Sequence, residues 1–240
     1  MLDVFKKSRA ALLSLGIASA AAAYSHVSLA DEGPLHYLNI QTINPQTRQA
    51  FIEAMRHNAT QSREEAANIV FDVADIGGSD PTLVLFESWR DAAGYQQHEA
   101  SAHVAPVLAL VPTSFAEPER KYLLQNVPGL PAPSSKVIDT PSDTRNFVHR
   151  FEVAANQREA FLGAAASSIN HARQQPGNLV FDIYQQQDNA NAYVIYQRWS
   201  DTQAYLDYAA LPSAAAFNDT IQAAQSGEAE RLDLHDRIVR

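Results

Sequence analysis

Asn178-Leu179-Val180-Phe181-Asp182 rewrites Asn68-Ile69-Val70-Phe71-Asp72, which lies 110 positions earlier. The same offset carries Phe86-Glu87-Ser88-Trp89-Arg90-Asp91 onto Tyr196-Gln197-Arg198-Trp199-Ser200-Asp201. It also carries Arg48, Ala50 and Phe51 onto Arg158, Ala160 and Phe161, and Tyr95 onto Tyr205. Between residues 37 and 105 it needs no insertion and gives 15 identities in 69 positions. Chance matching leaves only a handful, so the chain is read as a duplication. A period this long means two whole domains, not a solenoid of small repeats. What both copies keep is expected to serve the fold, and what one copy keeps is a candidate for function.

Each copy has the same order of elements. Residues 36–44 alternate as a strand, and Pro45 suits the start of a helix. Phe51, Ile52, Met55 and Ala59 recur at helical spacing up to about Glu65. Ile69 to Val73 is a second strand. Ile76-Gly77-Gly78-Ser79-Asp80-Pro81 is turn chemistry. Leu83 to Phe86 is near-continuously apolar, as in a strand buried on both faces. Asp91 caps a helix over Ala92 to Ala100, a short helical piece follows around Val104 to Leu110, and Arg120 to Leu124 closes the unit. The second copy gives strands at Phe147 to Val153, Leu179 to Tyr184, Tyr193 to Trp199 and Arg231 to Val239. Its helices fall at Gln157 to Gln174, which Pro176-Gly177 stops, and at Thr202 to Ala209. The order is β-α-β-β-α-β, the ferredoxin-like unit. Such a unit leaves one sheet face bare, and a second copy is the obvious cover. The expected fold class is α+β, with two ferredoxin-like domains packed sheet to sheet as an intramolecular α+β barrel. Domain boundaries are set at 36–126 and 146–240. A Pro-rich linker over 127–145, built around Pro128-Gly129-Leu130-Pro131-Ala132-Pro133, joins them.

Residues 1–30 read as a secretory signal peptide. Lys6, Lys7 and Arg9 form a basic start, and Ala10 to Ala23 is an apolar run too short to span a bilayer comfortably. Ser28-Leu29-Ala30 offers small residues ahead of a cut at Asp31. The expected location is secreted or periplasmic, with no membrane insertion after processing. Losing Lys6, Lys7, Arg9 and Asp3 takes the formal charge from −9 to −11. That balance argues against nucleic acid and anionic membranes as partners. With no cysteine, thiol catalysis, iron–sulfur clusters and thiolate zinc sites are excluded, and the core must hold without disulfides.

On these residues the chain resembles the antibiotic biosynthesis monooxygenase domains of the dimeric α+β barrel superfamily. The pattern is carried by Pro176-Gly177-Asn178-Leu179-Val180-Phe181-Asp182, and by Phe86-Glu87-Ser88-Trp89 with His98 and His103 following. The first copy has Ala66-Ala67 where Pro-Gly is usual. The second has Gln197, Tyr208 and Ser213 at the Glu and His positions. Members of that family include quinol-oxidising monooxygenases that need neither metal nor flavin, haem-degrading enzymes, and copies with no known activity. The resemblance implies a small aromatic or quinone-like partner, no cofactor, and an intramolecular pseudo-dimer, with a further homodimer left open.

The first half keeps the polar set. Glu87 and Trp89, two apart on a strand, share a face, and His98 on the next helix reaches back over the same sheet end. A carboxylate beside an imidazole fixes its tautomer and raises its basicity. That pair suits removal of a phenolic proton, leaving an anion that reacts with O2. Asn39 is expected to donate to a developing oxyanion. Trp89, His103, Phe71 and Tyr37 are expected to line the substrate site, although Trp89 and Trp199 persist in both halves as core residues do. The alternative is a non-catalytic protein that binds a small apolar ligand or haem, with His98 or His103 as axial ligand. No metal site is predicted. His98 and His103 are five apart, which turns the second away by about 140° on a helix, so a site using both needs a break in that helix. The haem-degrading pattern has Asn39 in place but lacks its Trp and its His. No Ser-His-Asp order, phosphate loop or dinucleotide fingerprint is present.

Overall fold

The computed structural model describes residues 33–134 and 144–238, so the expected signal peptide and part of the expected linker lie outside the described residues. The first half runs β1 (Leu35–Thr42), α1 (Arg48–Ser62), β2 (Asn68–Asp75), β3 (Thr82–Trp89), α2 (Ala92–Glu99), α3 (Ala105–Ser114), β4 (Arg120–Asn126). The second runs β5 (Arg145–Val153), a 3-10 turn (Ala155–Gln157), α4 (Arg158–Arg173), β6 (Asn178–Gln186), β7 (Ala192–Trp199), α5 (Thr202–Ala209), α6 (Pro212–Ala224), β8 (Gln225–Ile238). The sequence reading passed over α6, although Pro212 at its first turn and its alanine-rich body both favour helix. It also began the last strand at Arg231. That strand starts six residues earlier, and Gly227, at φ 79°, lies where its register with β5 shifts.

The eight strands form one closed barrel in the order β1-β3-β2-β8-β5-β7-β6-β4. The halves therefore do more than face each other. β8 of the second half pairs with β2 of the first, and β4 of the first pairs with β6 of the second. Hydrogen bonds at both seams remove the free edges that two stacked sheets would expose.

Closure explains the unbroken burial of β3. Leu83, Leu85 and Trp89 point outward into the core under the first-half helices, while Val84 and Phe86 point into the barrel. The interior cluster draws on both halves, with Phe86 stacked on Tyr196 at 4.2 Å between centroids. Arg198, 2% exposed, is held inside by Asp72 at 2.8 Å and Asp236 at 2.6 Å. A buried charge persists only with such partners.

The halves solve one contact in opposite ways. Asp91 and Asp201 cap α2 and α5, accepting from Gly94 N (2.7 Å) and Ala204 N (2.8 Å). The turn before β2 presses on the first of these caps, and the turn before β6 on the second. A Cβ added at Gly94 would lie 2.2 Å from that of Ala67, and one added at Gly177 would lie 2.5 Å from that of Ala204. Each half thus puts glycine on one partner only. Gly94 is what lets the first half carry Ala66-Ala67 in place of Pro-Gly.

Candidate active site

β3 turns Glu87 and Trp89 toward the helices, and Trp89 Nε1 donates to Glu87 Oε2 at 2.9 Å. The second half keeps this bond, Trp199 Nε1 to Gln197 Oε1 at 3.0 Å, so it serves the scaffold with either an acid or an amide. Asn39, on neighbouring β1, donates from Nδ2 to Glu87 Oε1 at 3.0 Å. Both carboxylate oxygens are thus engaged, and no hydrogen bond joins Glu87 to His98. Burial pushes the Glu87 carboxyl above its ordinary range, opposed by the Trp89 bond and the Lys121 charge.

The carboxylate beside His98 belongs instead to Glu65, in the turn after α1. Its Oε1 lies 2.9 Å from His98 Nδ1. The expected Glu87–His98 pair is replaced because Asn39 and Trp89 hold the Glu87 carboxylate, while the end of α1 brings Ser62 and Glu65 to His98. The His98 ring lies on Trp89 at 4.3 Å between centroids and meets Phe71 at 5.7 Å. Burial holds His98 below its ordinary pKa, with Glu65 acting the other way, so the ring is neutral near pH 7. With Nδ1–H donated to Glu65, the lone pair sits on Nε2, which has no hydrogen-bond partner among the described residues.

His98 borders a cavity of about 230 Å³, with Asn39, Glu87, Phe71, Val107 and Lys121 also in its wall. Asn39 Oδ1 is buried and has no hydrogen-bond partner among the described residues. The Asn39 atom left over for a ligand is therefore an acceptor, since the donor already serves Glu87. Lys121 pairs across from Asn39 and donates from Nζ to Tyr95 Oη at 2.7 Å. Of the expected residues, Asn39, Glu87, His98 and Phe71 meet around the cavity. Trp89 lies behind His98. Tyr37 packs at a tilt against Tyr95, 4.6 Å between centroids, outside the lining. His103 also lies outside the lining, its Nε2 against Glu65 Oε1 at 2.7 Å. Sequence reasoning missed Glu65 and Lys121. Glu65 had a signal in plain view, because its counterpart at the same offset is Gln175.

At the matching place in the second half only about 30 Å³ remains. Phe217 stands where the first half has Val107, and Tyr208 stands where it has His98. Tyr208 stacks on Trp199 at 4.7 Å and fills the space an imidazole leaves open. His149 replaces Asn39, and burial pushes its pKa down to about 4.

The antibiotic biosynthesis monooxygenase family model matches residues 36–107 and 147–220, one segment in each half. "Putative monooxygenase YcnE" of Bacillus subtilis is 32% identical over 61 residues, which is 25% of this chain and 64% of that protein, a little under two thirds of its length. The fold is also that of a Fusobacterium nucleatum protein named "Putative monooxygenase" (TM-score 0.77, 12% identity, 86% of this chain and 93% of that one). A like-named Lactobacillus acidophilus protein gives a TM-score of 0.71 at 15% identity, over 85% and 93% of the two chains. At such identities the structural likeness is one of fold alone. The family match, made separately to each half of a single barrel, is what decides the assignment: this chain belongs to the antibiotic biosynthesis monooxygenase family and carries two tandem copies of its domain.

Proposed function

We propose that the protein is an exported monooxygenase that oxidises a small aromatic substrate, specifically a quinol, with O2 and no bound cofactor. One observation carries this reading: a neutral imidazole, oriented by Glu65 and with no partner on Nε2 among the described residues, lines a cavity of about 230 Å³ where the other half keeps only about 30 Å³. A cavity of about 150 Å³ holds benzene, so 230 Å³ suits one or two fused rings. The volume lies below the about 300–1,000 Å³ of pockets for drug-sized ligands, which favours a small aromatic over haem.

In the reaction, His98 Nε2 takes a phenolic proton and Glu65 stabilises the imidazolium. Asn39 Oδ1 accepts from a hydroxyl of the substrate. The Lys121 charge offsets the negative charge that develops on the ring. The electron-rich phenolate supplies the electrons that reduce O2. One oxygen atom enters the ring, and the other leaves as water with two hydrogens from the quinol, giving a hydroxyquinone.

The test is O2 uptake by the purified mature protein with a panel of quinols, with and without chelator. One O2 consumed per hydroxyquinone formed, insensitive to chelator, is the expected result. Quinol binding with no O2 uptake would leave a binding protein and end the enzymatic reading. Export is checked by N-terminal sequencing of the cell-envelope fraction. A start at Asp31 is expected, and recovery of Met1 or Leu2 counts against cleavage.

A further inference from the structure

The five-residue spacing of His98 and His103 forbids a shared ligand only while the helix continues. It does not continue. α2 ends at Glu99, and Ser101 Oγ donates to the His98 carbonyl at 2.6 Å, turning the chain back. His98 Nδ1 and His103 Nε2 then converge on one atom, Glu65 Oε1, at 2.9 and 2.7 Å. The ligand atoms of the three residues all lie within 4.8 Å of one another. The Glu65 and His103 side chains are 20% and 15% exposed, and that of His98 is 6% exposed. One side of the cluster thus opens to solvent, and the other abuts the cavity.

We infer that Glu65, His98 and His103 form a binding site for one divalent cation of the zinc class, and that the bound cation switches off the proton transfer at His98. The second part rests on the function proposed above. Two imidazole nitrogens and one carboxylate oxygen are a zinc donor set, whereas magnesium and calcium call for oxygen ligands throughout. Ligands about 2.0–2.1 Å from a tetrahedral ion are about 3.3 Å apart. The two separations to Glu65, 2.9 and 2.7 Å, need to widen by about half an ångström, and the two nitrogens, already within 4.8 Å of each other, settle at the same spacing. The second half has Gln175, Tyr208 and Ser213 at these positions and cannot form the site.

The switch follows from imidazole chemistry. A cation takes the Nδ1 lone pair, so the ring proton must move to Nε2. Nε2 of this cavity-lining ring changes from acceptor to donor, and Glu65 is drawn onto the metal. A phenolic proton then has no base to receive it.

The experiment titrates the mature protein with zinc chloride alone, read by calorimetry and by competition with a chromophoric chelator. One zinc per chain is expected. His103→Ala and Glu65→Gln, each checked for native near-ultraviolet circular dichroism, should bind at least tenfold more weakly, while His57→Ala should bind as the parent does. Zinc should also slow quinol-dependent O2 uptake, chelator should restore it, and His103→Ala should keep its own metal-free rate when zinc is added. Absence of a stoichiometric zinc, or unchanged affinity in both folded variants, overturns the site. Stoichiometric zinc that leaves turnover unchanged overturns the switch. If no quinol is oxidised at all, the proposed function falls together with the switch, and the calorimetric result still decides the site.

Discussion

The two halves share a backbone plan and the buried Trp bond, Trp89 to Glu87 in one and Trp199 to Gln197 in the other. They part in what surrounds it. One half leaves about 230 Å³ beside a neutral imidazole, and the other leaves about 30 Å³ beside a tyrosine. The difference teaches that a duplicated barrel needs both halves to close its sheet but only one to keep a hole in it. A cavity costs packing energy, so a half without a ligand is more stable when filled, as Tyr208 and Phe217 fill it.

The sharpest way to break the comparison is at the base. His98→Ala should lower turnover by about two to four orders of magnitude, the usual span for general-base catalysis. Tyr208→Phe should change it little. Equal damage from both, in folded protein, would remove the asymmetry. Glu65→Gln keeps size but not charge, and it installs the type of residue the second half carries at Gln175. Turnover should fall roughly ten- to a hundredfold, a fraction of the base's full share, with the pH dependence of kcat altered. An unchanged profile would detach Glu65 from the imidazole.

Val107→Phe copies the second half's filling into the first. Closing the space should weaken quinol binding by about one to two decades, the equivalent of 1–3 kcal/mol of overpacking. Calorimetric titration measures it, and retained affinity would place the ligand elsewhere. Gly94→Ala meets Ala67 at 2.2 Å and should cost about 1–3 kcal/mol in denaturant unfolding. Ala67→Gly added to it should recover most of that loss, since the pair then matches Gly177 and Ala204. Failure of the rescue would mean that the turns are not equivalent.

The smallest effect is on pH. Burial lowers His36 and His149 to about 4 from 6.5. The unfolded chain therefore binds protons that the folded one refuses, and stability falls as pH drops from 6.5 toward 4. Each half has asparagine at the other's histidine: Asn146 matches His36, and Asn39 matches His149. His149→Asn should remove part of the decline, on the order of 1 kcal/mol after solvent screening. A melting-temperature profile unchanged between pH 4 and 6.5 would count against it.

Much of the fold was legible because periodicity and turn residues are local. The strands from Leu35 to Trp89 and the Asp91 and Asp201 caps follow from short-range patterns. α6 (Pro212–Ala224) is equally local in its signals, but it outruns its first-half counterpart α3 (Ala105–Ser114), so the internal repeat does not predict it. At the site, Glu87 and His98 stood out because the second copy has Gln197 and Tyr208 there, whereas Phe71, kept as Phe181, carried no such signal. Glu65 and Gln175 stood in the same alignment, but nothing in sequence says that the end of α1 touches α2.

By itself the sequence determined the duplication, the β-α-β-β-α-β order, and the half that retains acid and imidazole, because these depend on residue type and spacing along one chain. The tertiary structure alone decided the rest. It joined the sheets edge to edge at two seams, gave Glu87 to Asn39 and Trp89, and brought Glu65, His98 and His103 to a single oxygen. The physical reason is that side-chain hydrogen bonds reach only about 3 Å. Which groups come that close depends on where helices end and how strands register, and those are set by packing between segments far apart in the chain.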